Sequence, residues 1–267
     1  MAGYGWISLT TDYGLTDGFV AACHGVIARI AAPVRVIDVT HLVPPGEVAR
    51  GASVLAQAVP HLPLAVHVAV VDPGVGTARR GIGVETPHGL LVGPDNGLLP
   101  DAATALGGIV RAVELMNPTW LAERVSPTFH GRDIFAPVAA RLALGADLGQ
   151  AGRALDPASL VRLPDPVVVL GDGFVEAEVL TVDHFGNVQL AAPAAGLARL
   201  AGPVGLAREL RIGGIRAVVG TTFADAPAGG LVVYIDSAGR MAVAVNGGRA
   251  ATALAVGPGD VLRLERS

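Results

Sequence analysis

Short apolar runs and stretches of helical spacing alternate through the first half of the chain. Trp6–Thr10, Val34–Val39 and Ala65–Val71 are runs rich in apolar and β-branched residues, which predict strands. Between the first two runs, apolar residues recur on one helical face over Phe19–Ile30, and Glu47–Ala58 is a second helix candidate. This β-α-β-α order predicts an N-terminal three-layer α/β domain with a mostly parallel sheet.

Further along, Gly81–Thr86 and Gly89–Val92 predict a hairpin, and Asp133–Leu144 predicts a helix. Ligands of parallel α/β sheets bind beyond the carboxyl ends of the strands. Two polar turns, at Thr11-Asp12 and at Asp72-Pro73-Gly74, lie at such ends and are therefore candidate ligand-binding turns.

The pattern changes after about Ala154. The stiff stretch Leu163-Pro164-Asp165-Pro166 predicts a linker over residues 161–168, between an α/β domain at 1–160 and a second domain at 169–267. Short β-branched runs punctuated by Gly, Asp and Pro predict that the second domain is an all-β barrel. The runs are Val167–Leu170, Phe174–Val182, Leu231–Ile235, Ala242–Val245 and Val261–Leu264, and Leu206–Ile212 is compatible with a strand or a helix.

Composition excludes several classes of protein. The 267 residues are 51% hydrophobic and 16% charged, which excludes a disordered chain, and the net charge of −4 argues against a nucleic-acid-binding face. No apolar run approaches the ~18 residues of a membrane span, and the first residues lack the pattern of a secretory signal. The single cysteine, Cys23, favours a cytoplasmic location and is better explained as a small buried hydrophobe than as a nucleophile.

Two carboxylates follow the first strand, and each has a functional and a structural explanation. An aspartate at a strand end can accept two hydrogen bonds from a ribose diol, and we favour this role for Asp12. Thr16 or Asp17 could instead cap the helix that begins near Gly18, and for Asp17 we favour the cap.

The run Val71–Arg80 is rich in glycine and carries charges of both signs. It lacks the ending of a nucleotide-triphosphate loop, and its leading Asp72 would repel phosphate. A tight turn held by an Asp72–Arg79 ion pair is the structural explanation, and such a pair would still face a cleft at the strand end.

His130 lies in Phe129-His130-Gly131-Arg132-Asp133, where the neighbouring charges and glycine strengthen a catalytic interpretation. Arg132 and Asp133 could equally pair with each other or cap the next helix. The other six histidines show no metal-ligand spacing, so we expect no metal site: His24, His41, His61, His67, His88 and His184.

In the second half, the stretch Thr181–Val188 contains Asp183, which could hold an ammonium group, and Asn187, which could read a purine edge. A β-hairpin turn is the structural alternative. The stretches Thr221–Asp225 and Asp236–Arg240 are weak signals taken alone.

Taken together and in order, these motifs resemble the S-adenosylmethionine hydroxide adenosyltransferase family, hydrolase relatives of the fluorinating and chlorinating enzymes. The matching segments are Thr10–Gly18, Asp72–Arg79, Pro94–Leu99, Thr128–Asp133, Asp183–Asn187, Thr222–Asp225 and Ser237–Gly248. The resemblance implies an α/β domain followed by a β-barrel. It also implies a homotrimer whose active sites lie between the N-terminal domain of one subunit and the C-terminal domain of the next.

The resemblance also implies roles for individual residues. The hydrolytic set falls on Asp72, Arg79 and His130, and the ribose-binding aspartate falls on Asp12. The methionine-binding positions fall on Asp183 and Ser237, the adenine-binding amide on Asn187, and aromatic positions near the nucleoside on Phe185 and Phe223. The implied reaction is hydrolysis of S-adenosylmethionine to adenosine and methionine by water or hydroxide attacking C5′, with no metal or cofactor.

Three other functions would each account for part of this sequence. Halogenating members have a tryptophan where this chain has Pro44-Pro45-Gly46, and a tyrosine in place of Asp72, so a halogenase is disfavoured. The calcium-binding start of nucleoside hydrolases is similar to Thr11–Asp17, but those enzymes need an adjacent aspartate pair, whereas Gly18 follows Asp17. A non-catalytic nucleoside-binding module would leave the hydrolytic set without a role.

Overall fold

The computed structural model describes residues 3–201 and 209–266. The chain divides into two compact units, Met1–Leu163 and Pro164–Ser267. The division falls within the stretch 161–168, and the domain limits at 160 and 169 stay predictions. No helix among the described residues is long and apolar enough to span a membrane.

The first unit contains seven strands and four α-helices within its described residues. In chain order they are β1 (Trp6–Thr11), α1 (Phe19–Ile30), β2 (Arg35–Thr40), α2 (Val48–Ala58), β3 (Val66–Val70), β4 (Gly81–Thr86), β5 (Gly89–Pro94), α3 (Pro100–Ala105), β6 (Arg111–Leu115), α4 (Ala136–Ala143) and β7 (Gly152–Leu155).

The seven strands form one sheet in the order β2-β1-β3-β5-β4-β6-β7. The first three pairings are parallel and the last three antiparallel, so five of the seven strands run in one direction. Helices α1 and α4 pack with the sheet in one core, and α2 and α3 pack with it in another. These two cores on one sheet confirm the predicted three-layer α/β domain.

The first half of this unit follows its hydrophobic pattern closely, and helix α1 has the predicted limits. The pattern did not reveal α3, β6 or β7, because each is only four to six residues long and too short to establish a period. The predicted helix Asp133–Leu144 begins earlier, as a π-helical turn over Gly131–Phe135 that continues into α4.

The second unit is built on eight strands within its described residues. Its elements are β8 (Val168–Leu170), β9 (Phe174–Val182), β10 (Val188–Pro193), α5 (Ala194–Ala201), β11 (Glu209–Ile212), β12 (Ile215–Val219), β13 (Leu231–Ile235), β14 (Arg240–Val245), α6 (Ala250–Leu254) and β15 (Val261–Arg266). Strand β9 alternates buried and partly exposed positions over its whole length, as expected for a strand with one face toward a core.

A closed barrel confirms the all-β prediction for this unit. The order is β10-β14-β13-β12-β11-β15-β9, and pairing of β9 with β10 closes it, while β8 lies beside β9. The ambiguous stretch Leu206–Ile212 is a strand from Glu209 onward, and its first three residues lie outside the described part of the chain.

Candidate active site

Two loops of the first unit meet at the carboxyl ends of its central strands. The loop after β3 carries Asp72 and Arg79, and the loop before α4 carries His130. Gly76 has φ +78°, and a Cβ there would lie 2.4 Å from the carbonyl oxygen of Pro127. Only glycine allows both that backbone conformation and that approach, so this residue brings the two loops together.

Asp72 and Arg79 form the predicted ion pair. The guanidinium Nε donates to Asp72 Oδ1 at 3.1 Å, and Nη2 donates to Oδ2. The two side chains are only 5% and 8% exposed, and the guanidinium carbon lies 5.5 Å from the centre of the Phe135 ring. A bidentate pair so well buried holds a positive charge in a fixed position.

His130 joins this pair. Its Nδ1 lies 3.0 Å from Arg79 Nη2. Because arginine is always protonated and has no acceptor, Nδ1 must present its lone pair, and the neutral ring carries its proton on Nε2. Burial lowers the pKa of His130, and the Arg79 charge lowers it further against the opposing effect of Asp72 and Asp133. The imidazole is therefore neutral at pH 7, with Nε2–H left for a ligand.

Arg132 and Asp133 pair with each other, which was the structural alternative for these residues. Arg132 Nε donates to Asp133 Oδ1 at 2.6 Å, and the buried Asp133 also accepts from the backbone N–H of Ser126 at 2.8 Å. Burial raises the pKa of Asp133, but these hydrogen bonds outweigh it and lower the pKa below its usual value. The ionised Asp133 thus closes the loop that presents His130.

Asp12 follows β1 and lines a cavity together with Asp72 and His130. It accepts a hydrogen bond from the backbone N–H of Gly46 at 2.9 Å. The cavity measures about 220 Å³ and is lined by Asp12, Tyr13, Gly46, Val70, Asp72, Pro73, Val75, Thr128, His130 and Gly131. The cap expected at Asp17 is wrong, because the N-cap of α1 is Gly18, which has no side chain to accept from the helix N–H groups.

Tyr13 is a site residue that the sequence analysis did not identify. Its ring packs edge-on against Phe19 and Phe129, with centroid distances of 6.1 and 5.7 Å. Its hydroxyl lies against Gly131. Burial raises the pKa of Tyr13 strongly, with smaller contributions from Cys23 and Asp12, so the phenol stays protonated and can donate a hydrogen bond. Its position directly after Asp12 at the end of β1 was the available signal.

Cys23 behaves as the small buried hydrophobe that we expected. It packs in the core between α1 and the sheet. Burial raises the pKa of its thiol to about 12, so the nucleophilic thiolate is scarce at neutral pH.

The predicted site residues of the second unit lie on several of its turns. Asp183 and Asn187 belong to the β9–β10 hairpin turn, where Asp183 accepts from the backbone N–H of Asn187 and from its Nδ2, both at 2.8 Å. The structural alternative therefore holds, and the same bonds fix both side chains in place. Oδ1 of Asn187 and one of its amide hydrogens remain to recognise a ligand.

Phe185, Phe223 and Ser237 are exposed on turns of the same unit. Phe223 packs at 90° on Tyr234, 5.5 Å between ring centres. Burial raises the pKa of Tyr234 to about 12, aided by the charges of Asp183 and Asp236. Tyr234 thus lies beside two carboxylates and one aromatic ring, and its place inside a strand gave no sign of this in the sequence.

The first unit brings its own predicted residues together, whereas in the second unit a direct bond joins only Asp183 and Asn187 among the predicted residues. In the first, Asp12, Asp72 and His130 line one cavity, with Arg79 bonded to the last two. Among the described residues, ligand atoms with metal-like spacing occur at His24, Asp38 and His41, none of which lines this cavity.

Comparison with known proteins agrees with the resemblance seen in the sequence. Family models match residues 7–152, as the SAM hydroxide adenosyltransferase N-terminal domain, and 177–263, as the C-terminal domain. The (R)-S-adenosyl-L-methionine hydrolase of Salinispora arenicola is 69% identical over 99% of both chains. A fluorinase of an Actinoplanes species is 31% identical over 90% of both.

Among solved structures, an uncharacterised conserved protein from Thermotoga maritima is similar, with a TM-score of 0.90 and 37% sequence identity. The similarity covers 97% of this chain and 100% of the other. The family models and these relatives span both units, so the chain belongs to the SAM hydroxide adenosyltransferase family.

Proposed function

We propose that this protein hydrolyses S-adenosyl-L-methionine to adenosine and L-methionine, with water attacking C5′ in line with the departing sulfur. The observation that carries the proposal is the contact of Asp72, Arg79 and His130 beside a cavity that Asp12 also lines. The Salinispora arenicola relative, which is 69% identical, bears the name of this activity.

In this reaction the leaving group needs no activation, whereas the nucleophile does. The sulfonium leaves as a neutral thioether and needs no acid. Water is a weak nucleophile at neutral pH because its pKa is about 15.7. As the C5′–O bond forms, however, the water protons become strongly acidic, and a carboxylate is then a sufficient base. The site must therefore hold one water in line and accept one proton.

Asp72, Arg79 and His130 divide these tasks. Nε2–H of His130 donates to the water oxygen and orients its lone pair toward C5′, because Nδ1 is occupied by Arg79. Asp72 accepts a water proton as the bond forms and passes it to solvent. Arg79 holds both groups in place through its bonds to Asp72 and His130, and its charge lowers the pKa of His130, which keeps that ring neutral. The geometry thus favours His130 as an orienting group over the alternative of a proton acceptor.

Asp12 binds the ribose in this scheme. The Gly46 N–H occupies one lone pair of Oδ2, which leaves Oδ1 to accept hydrogen bonds from the diol. Pro44 and Pro45 precede this glycine at the position where halogenating relatives have a tryptophan. Water therefore has room beside the ribose.

The second unit supplies the remaining recognition. We assign the methionine ammonium and carboxylate groups to Asp183 and Ser237, the adenine edge to Asn187, and stacking to Phe185 and Phe223. A cavity of about 220 Å³ is smaller than the ~300–1,000 Å³ of ordinary small-molecule sites. The proposal therefore includes a homotrimer in which the C-terminal domain of a neighbouring subunit completes each active site.

No metal or cofactor takes part in this scheme, because the sulfonium is already activated and the nucleophile is water. The cytoplasmic location indicated by cysteine usage stays a prediction.

The test is product analysis after incubation with S-adenosyl-L-methionine in ¹⁸O-labelled water, with and without added chloride or fluoride. The proposal expects adenosine labelled at its 5′ oxygen and methionine in equal amounts, at a rate independent of halide. A 5′-halogenated nucleoside would identify a halogenase. Free adenine with a dependence on calcium would identify a nucleoside hydrolase, and tight binding without turnover would identify a binding module. The molar mass of the protein in solution, measured by light scattering during size-exclusion chromatography, tests the trimer.

A further inference from the structure

Three potential metal ligands from separate elements of the first unit converge beside the edge strand β2. His24 comes from α1, Asp38 from β2, and His41 from the loop that follows β2. Asp38 Oδ1 lies 2.9 Å from Nε2 of His24 and 3.0 Å from Nε2 of His41. One ligand atom from each residue lies within 4.8 Å of the other two.

His41 is oriented as a metal-binding histidine would be. The residue is only 4% exposed, and its Nδ1 lies 2.8 Å from the hydroxyl of Thr11. Its Nε2 is buried and faces Asp38 Oδ1 at 3.0 Å without forming an aligned hydrogen bond. A buried ring nitrogen that has only such an unaligned contact costs free energy unless a ligand takes its lone pair. The Thr11 hydroxyl bonds the opposite ring nitrogen, and a polar group in that position commonly orients a metal-bound histidine.

We propose that His24, Asp38 and His41 form a binding site for one divalent transition-metal ion of the zinc type. Two imidazoles and one carboxylate are the ligand set that zinc accepts, whereas magnesium and calcium require mainly oxygen ligands. Metal–ligand bonds of about 2.0–2.2 Å place tetrahedral ligand atoms about 3.3 Å apart. The ligand distances from Asp38 therefore need to open by only a few tenths of an ångström.

The three residues are open to solvent on one side, where an ion can enter and a water molecule can occupy the fourth coordination position. The side chains of His24 and Asp38 are 36% and 42% exposed, whereas His41 closes the inner side. The backbone carbonyl of His41 accepts from the N–H of Gly14 at 2.7 Å, and Thr11 directly precedes Asp12. The ion would tie α1 and β2 to the loop that follows β2, none of which carries Asp72, Arg79 or His130, so its role is structural.

The test uses the full-length protein after removal of metals with a chelator. Zinc binding is measured by calorimetry, and cobalt is added as a spectroscopic probe of ligand geometry. We expect one ion per chain and a visible cobalt spectrum typical of tetrahedral coordination. His24→Ala should weaken zinc binding by about 100-fold or more. This variant removes a partly exposed side chain, so it should fold even where a change at the buried His41 does not.

Two matched variants locate the ion. His88→Ala removes another exposed histidine, and His130→Ala removes the histidine at the catalytic cavity. Both should bind zinc as the unaltered protein does. Zinc should also raise the melting temperature of the unaltered protein by several degrees and leave that of His24→Ala unchanged.

Absence of zinc binding, unchanged affinity in His24→Ala, or loss of binding in His130→Ala would each overturn the proposal. In the first case the three residues form a hydrogen-bonded cluster only. These readouts are metal stoichiometry and unfolding, so they stand or fall separately from hydrolysis of S-adenosylmethionine.

Discussion

A Cβ atom on Gly131 would lie 2.0 Å from the hydroxyl oxygen of Tyr13. The Tyr13 ring cannot easily retreat, because Phe19 and Phe129 pack edge-on against it. The phenol therefore occupies the space that a side chain next to His130 would need. The absence of a side chain at position 131 is a requirement of this packing, whatever nucleophile the enzyme uses.

Replacing Gly131 with alanine should displace Tyr13 and disturb the adjacent His130. We expect kcat/KM to fall by at least about tenfold and the free energy of unfolding to fall by about 1–3 kcal/mol, as for other overpacked sites. Adding Tyr13→Phe removes the clashing oxygen and leaves a ring carbon 3.0 Å away as the nearest atom, so part of the stability should return. Urea denaturation and steady-state kinetics measure both effects.

The control is Gly25→Ala, in the exposed part of α1, where a new Cβ meets nothing within 4 Å. This change should leave kcat/KM unaltered and stabilise the helix by up to about 1 kcal/mol. If Gly131→Ala matched the control in activity, the proposed packing constraint would not bear on catalysis.

The hydrolytic set predicts a specific kinetic pattern for Asp72→Asn and Arg79→Lys. Each should lower kcat by about 10²–10⁴-fold and change KM little, because the set acts on water and not on the substrate. Lysine at position 79 and asparagine at position 72 each keep a hydrogen-bonding partner for the buried charge that remains. Alanine at either position would leave that charge without one, which costs about 3–5 kcal/mol of stability.

Arg80→Lys is the matched control for Arg79→Lys. Arg80 pairs with the buried Asp95 and with Ser159, and it does not line the cavity. Its replacement should affect stability more than turnover. Equal activity in the two lysine variants would remove Arg79 from the mechanism.

The neutral state of His130 predicts the acid side of the pH profile. Because burial and Arg79 lower its pKa, kcat/KM should be constant near neutrality and fall only below the ordinary value of about 6.5. The loss follows protonation of Nδ1, which breaks the bond from Arg79. In Asp72→Asn the pKa of His130 should fall further, since the carboxylate that raises it is gone. NMR titration of the His130 ring measures both values, and a pKa at or above 6.5 in the unaltered protein would contradict the lowered pKa on which this prediction rests.

The strands and helices in the first half of the first unit could be predicted because each has a clear hydrophobic period and is bounded by turn-forming residues. Asp72 and Arg79 could be paired from sequence, since seven residues and two glycines make a local turn. His130 is 51 residues beyond Arg79, and only family resemblance connected them. The glycine that brings their loops together, Gly76, is one of 36 in the chain and gave no separate signal.

The remaining features depend on contacts between distant strands. The β4–β5 hairpin was predicted correctly, but local patterns do not state which distant strands pair, so the antiparallel addition of β6 and β7 could not be derived. The π-helical turn over Gly131–Phe135 departs from the helical period that the sequence pattern predicts. Linear spacing likewise concealed the approach of His24 and His41 to Asp38, since metal-ligand motifs are recognised by short fixed intervals.

Replacing Asp183 should weaken substrate binding, whereas replacing a residue of the hydrolytic set should lower turnover. Asp183→Asn keeps the size of the side chain and part of its bonding to Asn187, but it removes the charge assigned to the methionine ammonium group. We expect KM to rise by about tenfold or more, equivalent to at least 1.4 kcal/mol, while kcat changes little. Asp260→Asn, at another turn of the same unit, should leave KM unchanged. A normal KM in a correctly folded Asp183→Asn would reassign the ammonium site.

Gly76 and Gly173 provide a final comparison, because both have φ +78°. Alanine at either position incurs the cost of a left-handed backbone, about 1–2 kcal/mol. At Gly173 a new Cβ meets nothing within 4 Å, whereas at Gly76 it would lie 2.4 Å from the Pro127 carbonyl oxygen. Gly173→Ala should therefore lose only that stability and retain its activity. Gly76→Ala should lose more stability and also lower kcat, because the Asp72 loop must move away from His130. Equal losses in both variants, measured by urea denaturation and turnover, would show that backbone strain alone acts at Gly76 and that contact between the loops does not position the catalytic groups.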